Sequence, residues 1–472
     1  MLNRIPYKWL VAVAFVAGFF MDLMDVTIVN VAIPTLSKDF HAADTTLEWV
    51  VTGYLLSLAV WIPASGWIGD RFGTKRTFLF ALGMFSFGSF LCSLAPSVEL
   101  LILFRVLQGV GGGMMTPVGV AMLFRAFPAN ERAQASSILS IAAAMAPAIG
   151  PVLGGWLSDY VGWRWIFLVN VPIGIANFFF SLKVLREYKE SDAGKFDYSG
   201  FFLSAFGLAL LLYALSNVPI KGPGSPQVIL SGSLGIILLL ILIWVESKQK
   251  RPILHFSLFK DRIFRTTNII MFFAFSLWIG FLFILPLFLQ QLLGLSAFQS
   301  GLTTSPQAIG WITMATVASA IYKRMGPRKM IVIGLIGTTI MTLVFTTFNM
   351  HVSLWIIRMI LFFRGLSMSF AVIPMQAATF SNISIKETGR ASSIFNTNRQ
   401  VASSFGVAML GAVLFEFLQA KSAIIAEQLA AYHTAFIAAT VLGFVAVLFA
   451  LTIHDKDAAA SLSREKVVPH NE

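Results

Sequence analysis

Two aspartates, Asp22 and Asp25, stand three residues apart inside an apolar run covering about residues 9–33. An ionised Asp at the centre of a membrane helix costs about 2.5–3.5 kcal/mol to insert, and it survives where it faces a cavity or a partner. A spacing of three puts both carboxylates on one helical face. Carboxylates that close resist ionising together, which is the chemistry of a group that takes up and releases a proton. The plainer reading, that both merely hydrogen-bond to neighbouring helices, stays open at this stage. Arg105 lies several residues into another apolar run. Its guanidinium keeps its proton and so requires an acid, a carbonyl or water close by. We expect it beside the Asp22 and Asp25 carboxylates; a role confined to tethering helices is the alternative.

A second cluster, Gly66-Trp-Ile-Gly-Asp70-Arg71-Phe-Gly73-Thr-Lys75-Arg76, combines close-packing glycines with one acid and three cations at a helix end. Asp70 and Arg71 suit a conformational latch that pairs with neighbouring helix ends in one state and parts from them in another. Positive residues that only fix topology would leave Asp70 unexplained. A third cluster, Gly150-Pro151-Val-Leu-Gly154-Gly155, sits within a hydrophobic run, where small residues allow close helix contact and proline loosens the backbone. Asn30, Glu48, Tyr54, Gln108 and Gln307 are weaker candidates to line a substrate cavity. Packing roles compete for each of them.

The elements that must position these residues follow from composition. Of 472 residues, 57% are hydrophobic and 12% charged, with mean hydropathy +0.80, outside the range of a water-soluble domain. The apolar residues fall into runs long enough for a helix to cross about 30 Å of hydrocarbon, and none alternates as a membrane barrel strand would. The expected spans are roughly 9–33, 46–68, 77–96, 99–123, 135–158, 164–185, 199–217, 228–246, 266–291, 298–321, 330–349, 352–380, 392–418 and 432–453. The fold class is therefore an all-α, multi-pass membrane protein with fourteen transmembrane helices. The formal charge of +12 is concentrated in alternate loops, among them those holding Arg71, Lys75, Arg125, Arg132, Lys248 and Lys329. This asymmetry places both termini in the cytoplasm and removes the argument for a nucleic-acid partner. Cys92 is the single cysteine, which excludes an intramolecular disulfide and a thiolate metal cluster.

Two internal correspondences point to duplication. Asp70-Arg71-Phe72-Gly73-Thr74-Lys75-Arg76 matches Lys323-Arg324-Met325-Gly326-Pro327-Arg328-Lys329 at a shift of about 253 positions, and Glu131–Ser137 matches Glu387–Ser393 at nearly the same shift. The expected organisation is a six-helix bundle over 1–190, two inserted helices over 191–252, a second six-helix bundle over 253–455 and a cytoplasmic tail over 456–472. Such an architecture places a binding site near the membrane midplane. In the second copy Lys323 stands where Asp70 would be, so a latch there is doubtful.

These residues resemble the major facilitator superfamily, and within it the fourteen-span drug:proton antiporters of the EmrB/QacA type. Four anchors carry the resemblance across nearly the whole chain: Asp25-Val-Thr27-Ile-Val-Asn30-Val-Ala32-Ile-Pro34, the Gly66–Arg76 cluster, Arg105-Val-Leu-Gln108-Gly109, and Gly150-Pro151 with Gly154-Gly155. The resemblance implies two six-helix bundles in the major facilitator fold, Asp25 and Arg105 as proton-coupling residues, and the Gly150 cluster as the antiporter motif. It leaves Asp22 without an assigned role. The usual leading Gly of the antiporter motif is Ala146 here, with Pro147 beside it, which weakens the inference of direction.

No Gly-x4-Gly-Lys-Ser/Thr loop, His-Glu-x2-His helix or Gly-x-Ser-x-Gly elbow is present in the sequence. The expected function is therefore proton-coupled export of small amphipathic or cationic compounds by alternating access, without cofactor or metal, by a monomer in the cell membrane. Its partners are a small-molecule substrate, protons and the lipid bilayer. A dedicated exporter of one lipid, siderophore or metabolite fits the same residues; a membrane enzyme or receptor fits them less well.

Overall fold

The computed structural model describes residues 5–42, 44–190, 194–249, 252–419 and 425–458, leaving aside a few side chains within the helices. The backbone is helical almost throughout, as it must be where lipid offers no hydrogen bonds to peptide groups. In chain order the helices are α1 (Tyr7–Phe40), α2 (Asp44–Phe72), α3 (Thr74–Ser93), α4 (Val98–Ala126), α5 (Arg132–Tyr160), α6 (Arg164–Leu168), α7 (Asn170–Val184), α8 (Tyr198–Lys221), α9 (Pro226–Lys248), α10 (Arg262–Leu287), α11 (Ala297–Val344), α12 (Leu354–Thr379), α13 (Thr388–Gln419) and α14 (Ile425–Leu451). Among the described residues eleven helical stretches are long and apolar enough to cross a membrane.

Two departures from the expected spans have local causes. The run at about 164–185 is divided into α6 and α7 at Val169, because Pro172 has no N–H and its ring presses on the carbonyl four residues earlier. The runs at about 298–321 and 330–349 are continuous in α11, but Gly326 sits at φ 76° and ψ 165° inside it, so two helices meet there at a sharp corner. Gly326 is followed by Pro327, which starts the second piece with its φ already set.

At three helix starts a side chain satisfies a free N–H group. Asp197 accepts from Gly200 N at 2.9 Å to open α8, and Asp261 from Phe264 N at 2.8 Å to open α10. Ser296 and Gln299 form a reciprocal capping box at the start of α11.

By its contacts the chain divides into two units, one of residues 1–122, 142–256 and 389–404, the other of 123–141, 257–388 and 405–472. Each has its own core. In the first, Ile28, Val29, Ala32 and Leu36 of α1 pack with Leu47, Val50, Leu101, Trp163 and Phe167. In the second, Phe281, Phe288, Phe345, Tyr432 and Phe436 pack around α10 and α14. Helix α8 rests on α2 through Leu208, Leu212 and Ala59.

The two similar loops share a backbone feature. Gly73 has φ +100° and Gly326 φ +76°, the left-handed region open to glycine. Each receives a carboxylate from a later segment, Glu187 from just after α7 and Asp455 from just after α14. Glu187 accepts from Lys75 N at 2.9 Å and Arg76 N at 3.3 Å; Asp455 accepts from Arg328 N at 2.9 Å. An added Cβ at Gly73 would stand 2.3 Å from Glu187 Oε1, and one at Gly326 3.0 Å from Asp455 Cγ.

Candidate functional site

Asp25 and Arg105 meet. Both are 0% exposed, and Arg105 Nη1 donates to Asp25 Oδ2 at 2.5 Å. α1 brings the acid and α4 the base, while α7 completes the shell. Asp25 Oδ1 accepts from Gln108 Nε2 at 3.0 Å and from Asn170 Nδ2 at 3.0 Å. Arg105 Nη1 also donates to Gln108 Oε1 at 2.7 Å, and its Nε to the Val50 carbonyl at 3.0 Å. Asn170 is aimed by Ser89, whose hydroxyl donates to the Phe167 carbonyl at 2.8 Å beside the α6–α7 break. A buried pair of this kind is supported by further hydrogen bonds, here from Gln108 and Asn170 to the carboxylate and from the arginine Nε to Val50, while Arg105 Nη2 has no acceptor among the described residues.

Asp22 lies one turn away with different partners. Tyr54 Oη donates a short hydrogen bond to Oδ1, and Thr116 Oγ1 donates to Oδ2 at 2.9 Å. The guanidinium of Arg105 sits 4.2 Å over the Tyr54 ring, so Tyr54 joins the two acids: one end serves Asp22 and its face carries the arginine that serves Asp25. Gly112 leaves the room for this. A Cβ there would stand 2.6 Å from Tyr54 Oη and 2.9 Å from Asp22 Oδ1.

The Gly66–Arg76 cluster lies at the α2–α3 turn. Asp70 is 1% exposed, and its Oδ2 lies 3.9 Å from Arg390 Nε at the start of α13. Gly66 is pressed against the same helix: a Cβ would stand 2.7 Å from Ser393 Oγ and 2.8 Å from the Gly389 carbonyl. Arg71 is exposed, whereas Lys75 Nζ donates to the Leu182 carbonyl and Arg76 lies 3.7 Å from Glu187. The Gly150 cluster packs α5 on α1, since a Cβ on Gly150 would stand 2.1 Å from Thr27 Oγ1 and one on Gly154 2.7 Å from Ile28 Cγ1. Gly155 is half-buried. Of the cavity candidates, Tyr54 and Gln108 belong to the charged cluster, and Gln307 is buried in the second unit. The side chains of Asn30, Glu48 and Pro151 lie outside the described residues.

Reading the sequence for charge did not reach Asn170, Ser89 and Thr116 as members of the site. The signal for Asn170 was a lone amide two residues before a proline inside an apolar run.

Beside Arg390, His255 sits in the segment between α9 and α10. Burial, with the Arg390 charge second, pushes its imidazole down from 6.5 to about 4. The unfolded chain takes this proton near pH 6.5 and the folded one does not, so stability is full above that value and falls as pH drops towards 4. His255→Gln is expected to flatten the acid side of the thermal-melting profile between about pH 6.5 and 4. An unchanged slope would assign it to other groups.

A bundle of apolar helices enclosing a fully buried ion pair defines a multi-pass membrane protein with an internal charge site. The chain belongs to the Major Facilitator Superfamily, whose family model matches residues 15–407, and it is accordingly a transporter. It is 34% identical over 398 residues to the multidrug resistance protein B homolog of Mycobacterium tuberculosis, covering 84% of this chain and 74% of that one. It is 31% identical over 463 residues to MdtD of Escherichia fergusonii, a proposed multidrug resistance protein, covering 97% of each. Among solved structures, the human organic anion transporter MFSD10 superposes with TM-score 0.69 at 14% identity over 94% of this chain and 100% of that one. The proton:xylose symporter XylE superposes with TM-score 0.65 at 15% identity over 94% and 95%. At such identities these two show the fold alone.

Proposed function

We propose that this transporter exports small amphipathic or cationic compounds in exchange for protons. The observation that carries the reading is the Asp25–Arg105 pair, sealed from solvent, with Gln108 and Asn170 donating to the carboxylate. A proton on Asp25 cancels the attraction that holds Arg105, and loss of that proton restores it. The pair therefore has two electrostatic states, as alternating access driven by protons requires. The relatives named for multidrug resistance support the cargo class.

In this reading Asp25 and Arg105 couple the proton, with Asp22 as a second acid joined through Tyr54. Gly66, Asp70, Arg71, Gly73, Lys75 and Arg76 form the latch, supported by the contacts of Asp70 with Arg390 and of Gly66 with Gly389. Arg390 and Gly389 come from the second repeat by sequence. Gly150, Pro151, Gly154 and Gly155 set how closely α5 slides on α1. Tyr54 and Gln108 in the first unit, and Gln307 in the second, are the candidate substrate contacts among the described residues. The organisation is fourteen spans in bundles over 1–190 and 253–455, two inserted helices over 191–252 and a tail over 456–472; the paired Glu187 and Asp455 contacts support the two repeats. The protein works as a monomer in the cell membrane with both termini cytoplasmic, and it performs transport rather than enzymatic catalysis.

Ethidium efflux from energised cells tests the cargo class. Efflux several-fold above that of cells lacking the protein, and collapsed by a protonophore, is the expected result. Failure to move any of several lipophilic cations would replace the broad-specificity reading with a dedicated exporter.

A further inference from the structure

α12 holds a second arginine buried in full. Arg364 is 0% exposed and lies about 259 positions after Arg105, close to the shift that relates the repeated loops. The two arginines are satisfied differently. Arg105 has a resident carboxylate, whereas no acid among the described residues forms an ion pair with Arg364. Arg364 Nε donates to Thr342 Oγ1 at 3.0 Å and Nη1 to Gln307 Oε1 at 3.1 Å. Its guanidinium lies 3.6 Å from the Phe281 ring centre and 4.7 Å from that of Trp278. Nη2, like that of Arg105, has no acceptor among the described residues, so what separates the two arginines is the carboxylate.

A second donor nearby is in the same condition. Trp311, 5% exposed, has no acceptor for its Nε1 among the described residues, and its ring lies 4.7 Å from that of Trp278. α11 and α12 approach closely here, since a Cβ on Gly365 would stand 3.1 Å from the Trp311 main-chain nitrogen and 1.9 Å from the Gln307 carbonyl, and the Trp278 ring lies 4.7 Å from both the Arg364 guanidinium and the Trp311 ring. Removing a guanidinium from water is strongly unfavourable without a counter-charge. Two neutral oxygens and two ring faces offset only part of that cost. The spare donors point to an anion with two acceptor oxygens, matching the guanidinium fork, and the indoles suit a flat apolar body.

The geometry points to a carboxylate-binding subsite in the second unit, centred on Arg364, for amphipathic monocarboxylates whose apolar part lies against Trp278 and Trp311. This rests on the reading of the chain as a small-molecule exporter and adds an anionic class to its cargo. The guanidinium is covered here, so the carboxylate reaches it in another state of the transport cycle and replaces in the second repeat what Asp25 supplies in the first.

Tryptophan fluorescence of the purified full chain in lipid nanodiscs reads the subsite directly. Benzoate is expected to give a saturable change at concentrations at least about tenfold below those needed for benzamide, the uncharged counterpart. Arg364→Gln is expected to weaken benzoate about tenfold or more and leave benzamide unaltered, while Arg364→Lys, which keeps the charge and guards against a folding defect, retains part of the affinity. Equal binding of benzoate and benzamide, or wild-type benzoate affinity in Arg364→Gln, overturns the proposal. Displacement of benzoate by equimolar chloride overturns it too, by assigning the site to small inorganic anions. Ethidium efflux is a separate readout: its absence with benzoate binding intact removes the drug-export reading and leaves the subsite, and the reverse result does the opposite.

Discussion

Asp25→Asn is expected to abolish protonophore-sensitive efflux, with a loss of at least about 100-fold in rate, equivalent to roughly 2.7 kcal/mol. Asparagine has the shape of aspartate, and its oxygen can still accept from Gln108 and Asn170. What it lacks is the charge that Arg105 Nη1 meets at 2.5 Å. Breaking a buried pair on one side costs about 3–5 kcal/mol because the remaining ion is left without its counter-charge, so the variant should also melt earlier than wild type. Asp22→Asn is the internal control. Its carboxylate takes hydrogen bonds from two neutral hydroxyls, Tyr54 and Thr116, and among the described residues no arginine donates to it. Its loss should slow efflux less and shift the melting temperature less. Wild-type, protonophore-sensitive efflux in Asp25→Asn would remove the pair from the coupling step, and the reverse ranking of the two variants would move that step to Asp22. Both comparisons need only efflux assays at matched membrane expression and melting of the purified variants.

Gly66→Leu should cut efflux about five- to 150-fold while leaving the protein folded and in the membrane. At Gly66 a Cβ stands 2.7 Å from Ser393 Oγ and 2.8 Å from the Gly389 carbonyl, and the second of these is main chain that cannot swing aside. Overpacking of this kind costs about 1–3 kcal/mol. The penalty applies only while α2 and the start of α13 touch, so it biases the cycle away from that contact rather than unfolding either helix. Gly66→Ala should show a smaller loss in the same direction. Spin labels on α2 and α13 would report a lengthened distance in Gly66→Leu; an unchanged distance with full efflux would show that the contact is not a latch.

The membrane architecture was legible because hydrocarbon enforces it. Apolar runs long enough to span had to be helices, and Asp25, Arg105 and Asp70 were conspicuous as charges inside or beside them. That Arg105 would need an acid followed from its permanent charge; that Asn170 and Ser89 would complete the shell did not. Amide and hydroxyl groups are cheap enough to be common in membrane helices, so their types carry little signal, and which of them meet depends on how α1, α3, α4 and α7 rotate against each other. The shared face of Asp22 and Asp25 was readable from their spacing, yet their division between a hydroxyl pocket and an ionic one is set by α2 and α4. Gly73 and Gly326 could be matched by their repeated loops. Their carboxylate partners could not, because Glu187 and Asp455 fall at a different shift and in sequence look like ordinary solvated acids.

Those two carboxylates each close a circuit. Glu187 returns to the start of α3 and Asp455 to the second piece of α11. Neither circuit uses a residue of α8 or α9. Helices α8 and α9 thus stand outside both knots: their sequence can drift without untying either, whereas a change at Glu187 frees the segment after α7 from the start of α3, and one at Asp455 frees the segment after α14 from the second piece of α11.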